Sequence, residues 1–429
     1  MNSHGPASCA RRGGAKLFVF ETGKEDHHRH RSKVRYKSED RIGMSTFFLF
    51  LTLIGTASSC VYLVLVMVAA LKYLREPSPQ NLRTYKPISL LKPIHSDEPQ
   101  LYENLLSHFH QSYSADYELI FCARHFSDPA FRTVDRLIAE FPNRTVKKIA
   151  CGEPLWVNPR TFSVDRMIAV ARYESLVITD SDVRVEDDFL ENLTPELDQQ
   201  GVGLVTCLYR GVPSGGPWSF LEAVGMSVEM SSGVLVANLL EGMKFALGPC
   251  MALRKNCIAE IGGLEDIASY YADDFVLGNR VANAGFKVFL SKIVVNHVVT
   301  NTNFARSLKH QLGWMRSTRY SRPKGHFGTL LTFSMPFAIL GFCLEIFRNN
   351  WHGAIIFLLI GILNRIIQSI MVGWMVVRDR NSLWFAWVYP LRDLMGFLFW
   401  AASYFSSKVG YRGETYVLYD EGRIKKYVR

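Results

Sequence analysis

Apolar positions along this 429-residue chain fall into two regimes. Four long runs carry almost no polar residue, and a mixed region of short alternating runs separates the first run from the other three. Residues 47–71, "FFLFLTLIGTASSCVYLVLVMVAAL", hold no charge and exceed the ~20 residues a helix needs to cross about 30 Å of hydrocarbon. The apolar core is too long for a secretory signal and lacks a small-residue cleavage site, so residues 44–74 predict a retained anchor. Met44, directly ahead of it, is a candidate translation start. Runs at about 328–347, 353–377 and 383–405 are separated only by "RNNWH" and "RDRNS", which predicts three membrane helices joined by hairpin turns. Their interior Glu345, Asn364, Arg365, Gln368, Arg392 and Asp393 point to a protein-lined or interfacial setting.

The mixed region, residues 75–303, alternates strand-like and helix-like segments. "KPISLLKPI", "YELIFCAR", "KKIACG", "SLVITDSD", "GVGLVTCLYR" and "KVFLSKIVVNHV" have the β-branched enrichment of strands. "PQLYENLLSHFHQS", "DPAFRTVDRLIAEF" and "TFSVDRMIAVARYE" have helical spacing. That alternation predicts an α/β domain with a mostly parallel sheet, whose ligands bind beyond the carboxyl ends of the strands. The apolar residues 232–248, "SGVLVANLLEGMKFALG", are too short and interrupted to span a bilayer; they read as a buried core strand or as a wall of a lipid's path. The loop "RGVPSGGPWS", residues 210–219, reads as a mobile or plain surface segment.

Charge refines this layout. The net charge is +10, with basic residues gathered beside the apolar runs rather than along an aromatic-studded groove, which points to a bilayer and an anionic substrate and away from nucleic acid. Residues 304–327 form a basic and aromatic segment ahead of the second run. Arg316, Arg319, Arg322 and Lys324 there, with Arg378 and Arg380 after the third run, place the large domain on the cytoplasmic side and the C-terminal tail, 406–429, on the far side. Residues 1–43 are polar and basic and predict disorder; their "HHRH" reads as a metal ligand set or, more simply, as part of a solvated tail. Eight cysteines with no CxxC pair read as reduced structural thiols.

Three segments carry candidate chemistry. In "LVITDSDVRVEDDF", residues 176–189, a strand ends in Asp180 and Asp182, which can share one hard cation, Mg²⁺ or Mn²⁺, completed by substrate phosphates. The same pair also suits an ordinary acidic turn. In "SYYADDFVLGNRVANAGFKVFLS", residues 269–291, Asp273 and Asp274 open a helix closed by Gly285; they are N-terminal caps or, on the functional reading, include a general base. In "KHQLGWMRSTRYSRPKGH", residues 309–326, Trp314 with Arg316 and Arg319 reads as an interfacial anchor or as a diphosphate-binding wall.

Taken in order, these motifs resemble family-two-type inverting glycosyltransferases of the GT-A fold. "PISLLKPIHSDEPQLYENL", "ITDSDVRV", "GPCMALRKNCIAEIGGL" and "YYADDFVLGNRVANAGFKV" with the four apolar runs resemble the ceramide glucosyltransferases, glycosyltransferase family 21-like, and bacterial relatives that glycosylate hopanoid lipids. The resemblance covers residues 44 to about 420. It implies a UDP-sugar donor, a membrane-lipid acceptor, and single displacement with inversion. Glu98 or Asp97 then contacts the uridine, Asp180 and Asp182 hold the metal and donor diphosphate, and Asp274 is the base. The last family motif departs: His310 stands where glutamine or arginine is expected, and Gly313 replaces the arginine that would neutralise the leaving diphosphate; only Trp314 matches. Arg316 or Arg319 substituting, His310 sharing the role, or loss of activity are the three consequences. The alternatives to transfer of glucose to ceramide are hopanoid or other lipid glycosylation from UDP-GlcNAc, a processive polysaccharide synthase, and a non-catalytic lipid-binding relative.

Overall fold

The computed structural model describes residues 25–77, 85–96, 98–301, 303–411 and 413–427, with side chains from Met44 onward. Asp97 and the side chains of "HHRH" therefore lie outside the described residues. The mixed region forms an eight-stranded sheet: β1 (Ile88–Pro93), β2 (Tyr117–Ala123), β3 (Thr145–Ala150), β4 (Ser175–Thr179), β5 (Val183–Arg184), β6 (Val202–Pro213), β7 (Cys250–Arg254) and β8 (Lys287–Val299). Their order is β3-β2-β1-β4-β7-β6-β8-β5. β1, β2 and β4 are buried along their whole length, which is why they read as near-continuous apolar runs rather than as alternation. The six strands legible in the sequence are present. β7, in "GPCMALRK", is the one missed in the sheet's middle, and it runs antiparallel to both β4 and β6, so the sheet is mixed.

Successive strands β1, β2 and β3 add in one direction, and β4 then returns to pair with the other side of β1 in parallel. The crevice beyond the carboxyl ends of β1 and β4 is thus a topological switch point, where open α/β sheets place ligands. Glu98 follows β1 and Asp180 follows β4, so both fall in that crevice.

The described residues divide into two units between Leu51 and Thr52. The helix Glu25–Arg75 contains the whole predicted anchor. It already begins at Glu25, where the sequence predicts disorder; residues 25–42 hold neither proline nor glycine to stop a helix. Among the described residues, three helices are long and apolar enough to cross a membrane: Met44–Arg75, Gly216–Glu241 and Trp351–Val376. The second corrects two expectations. Residues 231–241 are helix rather than core strand, continuous through a π segment at Gly225–Met230 with the helix that starts at Gly216, and β6 extends to Pro213, leaving little of a loop at 210–219. The run at 328–347 is broken, since Pro323–Thr332 and Met335–Phe347 meet at a 46° bend. The run at 383–405 also fails to form one span: its longest helix, Tyr389–Ala402, has 14 residues, about 21 Å of rise. Its charges face protein, with Arg392 Nη2 2.9 Å from Glu229 Oε2 and Asp393 Oδ1 3.0 Å from Arg365 Nη1.

The tail is folded. β9 (Lys408–Tyr411), β10 (Glu414–Tyr419) and β11 (Arg423–Lys426) form an antiparallel sheet that buries Val409, Tyr416, Leu418 and Ile424 against Tyr271, Tyr320 and Tyr411. The Tyr271 amide donates to the Gly422 carbonyl at 3.0 Å. The tail therefore lies on the same side as the large sheet, against the prediction that it falls on the far side; the fourth run, which forms no single span, removes one of the crossings on which that prediction rests. Cys60, Cys122, Cys207, Cys250, Cys257 and Cys343 are free thiols.

Candidate functional site

The Asp180–Ser181–Asp182 turn is supported from beneath by a lysine. Lys92 lies in the fully buried strand β1, and its ammonium donates to the Asp180 carbonyl at 2.9 Å, to Thr179 Oγ1 at 3.1 Å and to His108 Nε2 at 3.3 Å. His108 Nδ1 sits 3.0 Å from the Asn104 carbonyl, which assigns the proton to Nδ1 and leaves Nε2 as the acceptor. Three donors thus meet three acceptors, the condition for keeping an ammonium in a core. Burial pushes Lys92 down to about 7, opposed by the charges of Asp180 and Asp182. From above, Ser181 Oγ donates to Glu98 Oε2 at 2.6 Å, bringing Glu98 onto the same turn.

A single guanidinium joins this turn to the second acidic pair. Asn158 caps the helix Pro159–Val170 by accepting from the Arg160 and Thr161 amides, and Pro159 occupies the first helical position. That start projects Arg160, which is buried, into the crevice. Its Nε donates to Asp180 Oδ1 and its Nη1 to Asp273 Oδ2, both at 2.8 Å, while Nη2 donates to the Gly248 carbonyl at 2.9 Å. Thr161 Oγ1 adds a 3.0 Å bond to Asp273 Oδ2.

Asp274, next in the chain, instead accepts from the Gly248 amide at 2.6 Å and from the Phe275 amide at 2.8 Å. Its helix, Asp273–Asn283, sits hard on the preceding loop: a Cβ on Gly278 would lie 2.3 Å from the Ala246 amide nitrogen, so only glycine allows that approach. Withdrawal from water raises the Asp274 carboxyl to about 6; the like charge of Asp273 adds to the rise, and Arg160 opposes it. A carboxylate at that value is a serviceable general base near neutrality.

Asp182 faces the other way, into a cavity of about 330 Å³. Its Oδ2 is 3.3 Å from His297 Nε2, and its Oδ1 is buried with no hydrogen-bond partner among the described residues. An orphaned buried carboxylate oxygen is an unpaid desolvation cost that a hard cation would relieve. Among the described residues no cluster of three or more His, Cys, Asp or Glu is arranged as a metal cage, so such a cation would take part of its shell from substrate and water.

The helix Phe304–Ser321 supplies one wall of this cavity through Arg306, Lys309, His310 and Gly313, and β9 with its following turn supplies Gly410, Tyr411 and Gly413. Trp314 packs against His310 with ring centroids 4.3 Å apart and the planes tilted by 50°. Arg316 and Arg319 project from a neighbouring face and do not line the cavity. Arg316 Nη1 donates to the Lys408 carbonyl at 2.7 Å, and Arg319 Nη1 to the Ser403 carbonyl at 2.5 Å. Both are engaged in holding the tail and the end of the helix Tyr389–Ala402 to this segment.

The structure therefore gathers Glu98, Asp180, Asp182 and Asp274 around one crevice, with Trp314 behind His310, which lines the cavity. Sequence reasoning missed Arg160 and Lys92. The available signals were the "NP" helix start immediately before Arg160 and a lysine set inside an otherwise apolar strand.

A family model described as glycosyl transferase family 21 matches residues 50–424. Two Caenorhabditis elegans proteins are similar to the chain. Ceramide glucosyltransferase 1 is 29% identical over 217 residues, 50% of this chain and 45% of the relative. Ceramide glucosyltransferase 3 is 25% identical over 234 residues, 54% of this chain and 50% of the relative. The matched region thus spans about half the length of each. Among solved structures, a mannosyltransferase from Pyrobaculum calidifontis in complex with GDP-Man and Mn²⁺ shares 18% identity at a TM-score of 0.48, covering 82% of this chain and 99% of that one. TarS 1–349 of S. aureus in complex with UDP-GlcNAc shares 14% at 0.38, covering 80% and 100%.

Proposed function

We propose, since the chain belongs to glycosyl transferase family 21, that it transfers glucose from UDP-glucose to the primary hydroxyl of ceramide with inversion at the anomeric carbon. The observation that carries this reading is the placement of Asp274: a carboxyl raised to about 6 and tied through the Gly248 loop and Arg160 to the Asp180 turn. Asp274 takes the proton from the acceptor hydroxyl as the oxygen attacks the anomeric carbon. Arg160 neutralises Asp180 and Asp273, so that the proton goes to the neighbouring Asp274 rather than into a cluster of uncompensated charge. Glu98, fixed by Ser181, contacts the uridine, and Trp314 forms part of the donor's wall.

Asp180 and Asp182 are the residues that would hold Mg²⁺ or Mn²⁺, and that ion, when bound, supplies positive charge to the diphosphate as UDP departs. The lipid acceptor reaches the site from the bilayer, entered by the apolar helices of a multi-pass protein whose sheet domain faces the cytoplasm, where nucleotide sugars are found. Proximity of two bound substrates contributes up to about 7–11 kcal/mol to lowering the barrier in well-oriented cases.

The test is transfer by membranes carrying the full chain, supplied with labelled UDP-glucose or UDP-GlcNAc and with ceramide, diacylglycerol or a hopanoid polyol in the presence of Mg²⁺ or Mn²⁺. Label from UDP-glucose should appear on ceramide. Transfer to a different lipid would reassign the acceptor, and transfer to none would overturn the reading.

A further inference from the structure

The family motif's arginine is absent at position 313, and the two arginines downstream of it are committed to main-chain carbonyls elsewhere. The cavity nevertheless contains one side chain with a built orientation. Glu222, on the helix Gly216–Val224, has its carboxylate wholly shielded from solvent. It accepts from Ser307 Oγ at 2.6 Å, from Asn301 Nδ2 at 3.0 Å and from His310 Nδ1 at 2.5 Å. Carboxylate–imidazole contacts of this kind fix a histidine's ring and decide which nitrogen is left for a ligand.

We infer that His310, oriented by Glu222, binds the donor's diphosphate in place of the missing arginine. The inference rests on the nucleotide-sugar reading above. With Nδ1–H directed to Glu222, Nε2 is the nitrogen left to the cavity, which Asp182 lines from another side. Nε2 donates only as part of an imidazolium, and the two anionic partners that form needs are Glu222 on one side and a phosphate on the other. Trp314 packs against one side of the ring at a 50° tilt. Glu222 is a positioning residue here, since it acts through His310. Arg306 and Lys309 lie on the same helix face, but both are exposed and, among the described residues, neither has a buried partner to orient it, so they add charge without geometry.

At Gly313, which lines the same cavity, a Cβ would have only Tyr271 Oη within 4 Å, at 3.5 Å, an ordinary contact, so a side chain can leave the helix there without a clash at its first atom.

Binding of UDP and of uridine to the full chain in detergent, each by equilibrium dialysis, separates the diphosphate contact from the base contact. His310→Ala should weaken UDP by about tenfold, the effect of one charge-assisted hydrogen bond, and leave uridine unchanged. His310 is exposed enough that the fold tolerates the loss. Glu222→Gln should move the UDP-to-uridine ratio in the same direction, and adding Gly313→Arg to His310→Ala should restore most of it, neither of which a merely structural role predicts. An unchanged UDP-to-uridine ratio in His310→Ala would overturn the inference. Wild-type protein that binds UDP no better than uridine would instead overturn the nucleotide-sugar reading and this inference with it.

Discussion

Replacing Arg160 by methionine removes the one cation shared by Asp180 and Asp273 while keeping the side chain's length. Two charge-assisted bonds of 2.8 Å disappear, and with them a bond to the Gly248 carbonyl. Breaking a fully buried pair costs about 3–5 kcal/mol. Here the Asp180 and Asp273 side chains keep 27% and 13% exposure, so water recovers part of that and the loss falls toward about 2–3 kcal/mol. The sharper readout is the acid limb of kcat/KM, which follows protonation of the free enzyme's base. Asp274 stands at about 6 through desolvation and Asp273, with Arg160 pulling it down. Without Arg160 the midpoint moves up; Asp273→Asn removes a raising influence and moves it down. For an upward shift of about one pH unit the ionised fraction at pH 6 falls from roughly one half to one tenth, a fivefold loss, while at pH 7 it falls less than twofold. Normalised pH profiles of the two variants check this directly. General damage to the site would displace both in the same direction or lower turnover without displacing either, and limbs that coincide with wild type in both variants would refute the role assigned to Asp274.

Lys92→Met should leave the Asp180 carbonyl, Thr179 and His108 without their shared donor at a cost of about 1–3 kcal/mol, lowering the melting temperature and weakening UDP binding together; UDP affinity equal to wild type in a folded variant would show that the turn does not depend on it. Gly278→Ala puts a methyl 2.3 Å from the Ala246 amide nitrogen and should destabilise by about 1–3 kcal/mol in thermal unfolding, with turnover lost as Asp274 withdraws from Gly248. Arg316→Ala and Arg319→Ala, made separately, should lower stability through the Lys408 and Ser403 contacts but change UDP affinity less than His310→Ala does.

Much of the fold is legible in the pattern of apolar positions, because buried strands and long membrane helices write themselves as runs. β1, β2 and β4 are such runs, and so is Met44–Arg75. What escapes is decided by partners far along the chain. β7 is five residues whose antiparallel pairing depends on β4 and β6, and nothing local distinguishes it from a turn. Residues 216–241 form one helix only because a π segment carries it past Gly225–Met230. In the site the aspartates announce themselves in sequence, since carboxylates in a row are conspicuous. Arg160 and Lys92 do not: one is an arginine in an ordinary amphipathic helix, the other a lysine in an apolar strand, and each gains its meaning from acceptors 16 to 113 positions away. Arg316 and Arg319 lie off the cavity for a related reason, because spacing shows which residues are near a motif but not which face of the helix they share.

The central claim is that Asp274 is the base for sugar transfer to a lipid. Its most direct test is transfer of label from UDP-glucose to ceramide by membranes carrying wild type or Asp274→Asn, with UDP binding measured on the same samples. Wild-type transfer that is abolished in Asp274→Asn while UDP still binds is the predicted result; transfer that persists in Asp274→Asn would contradict it.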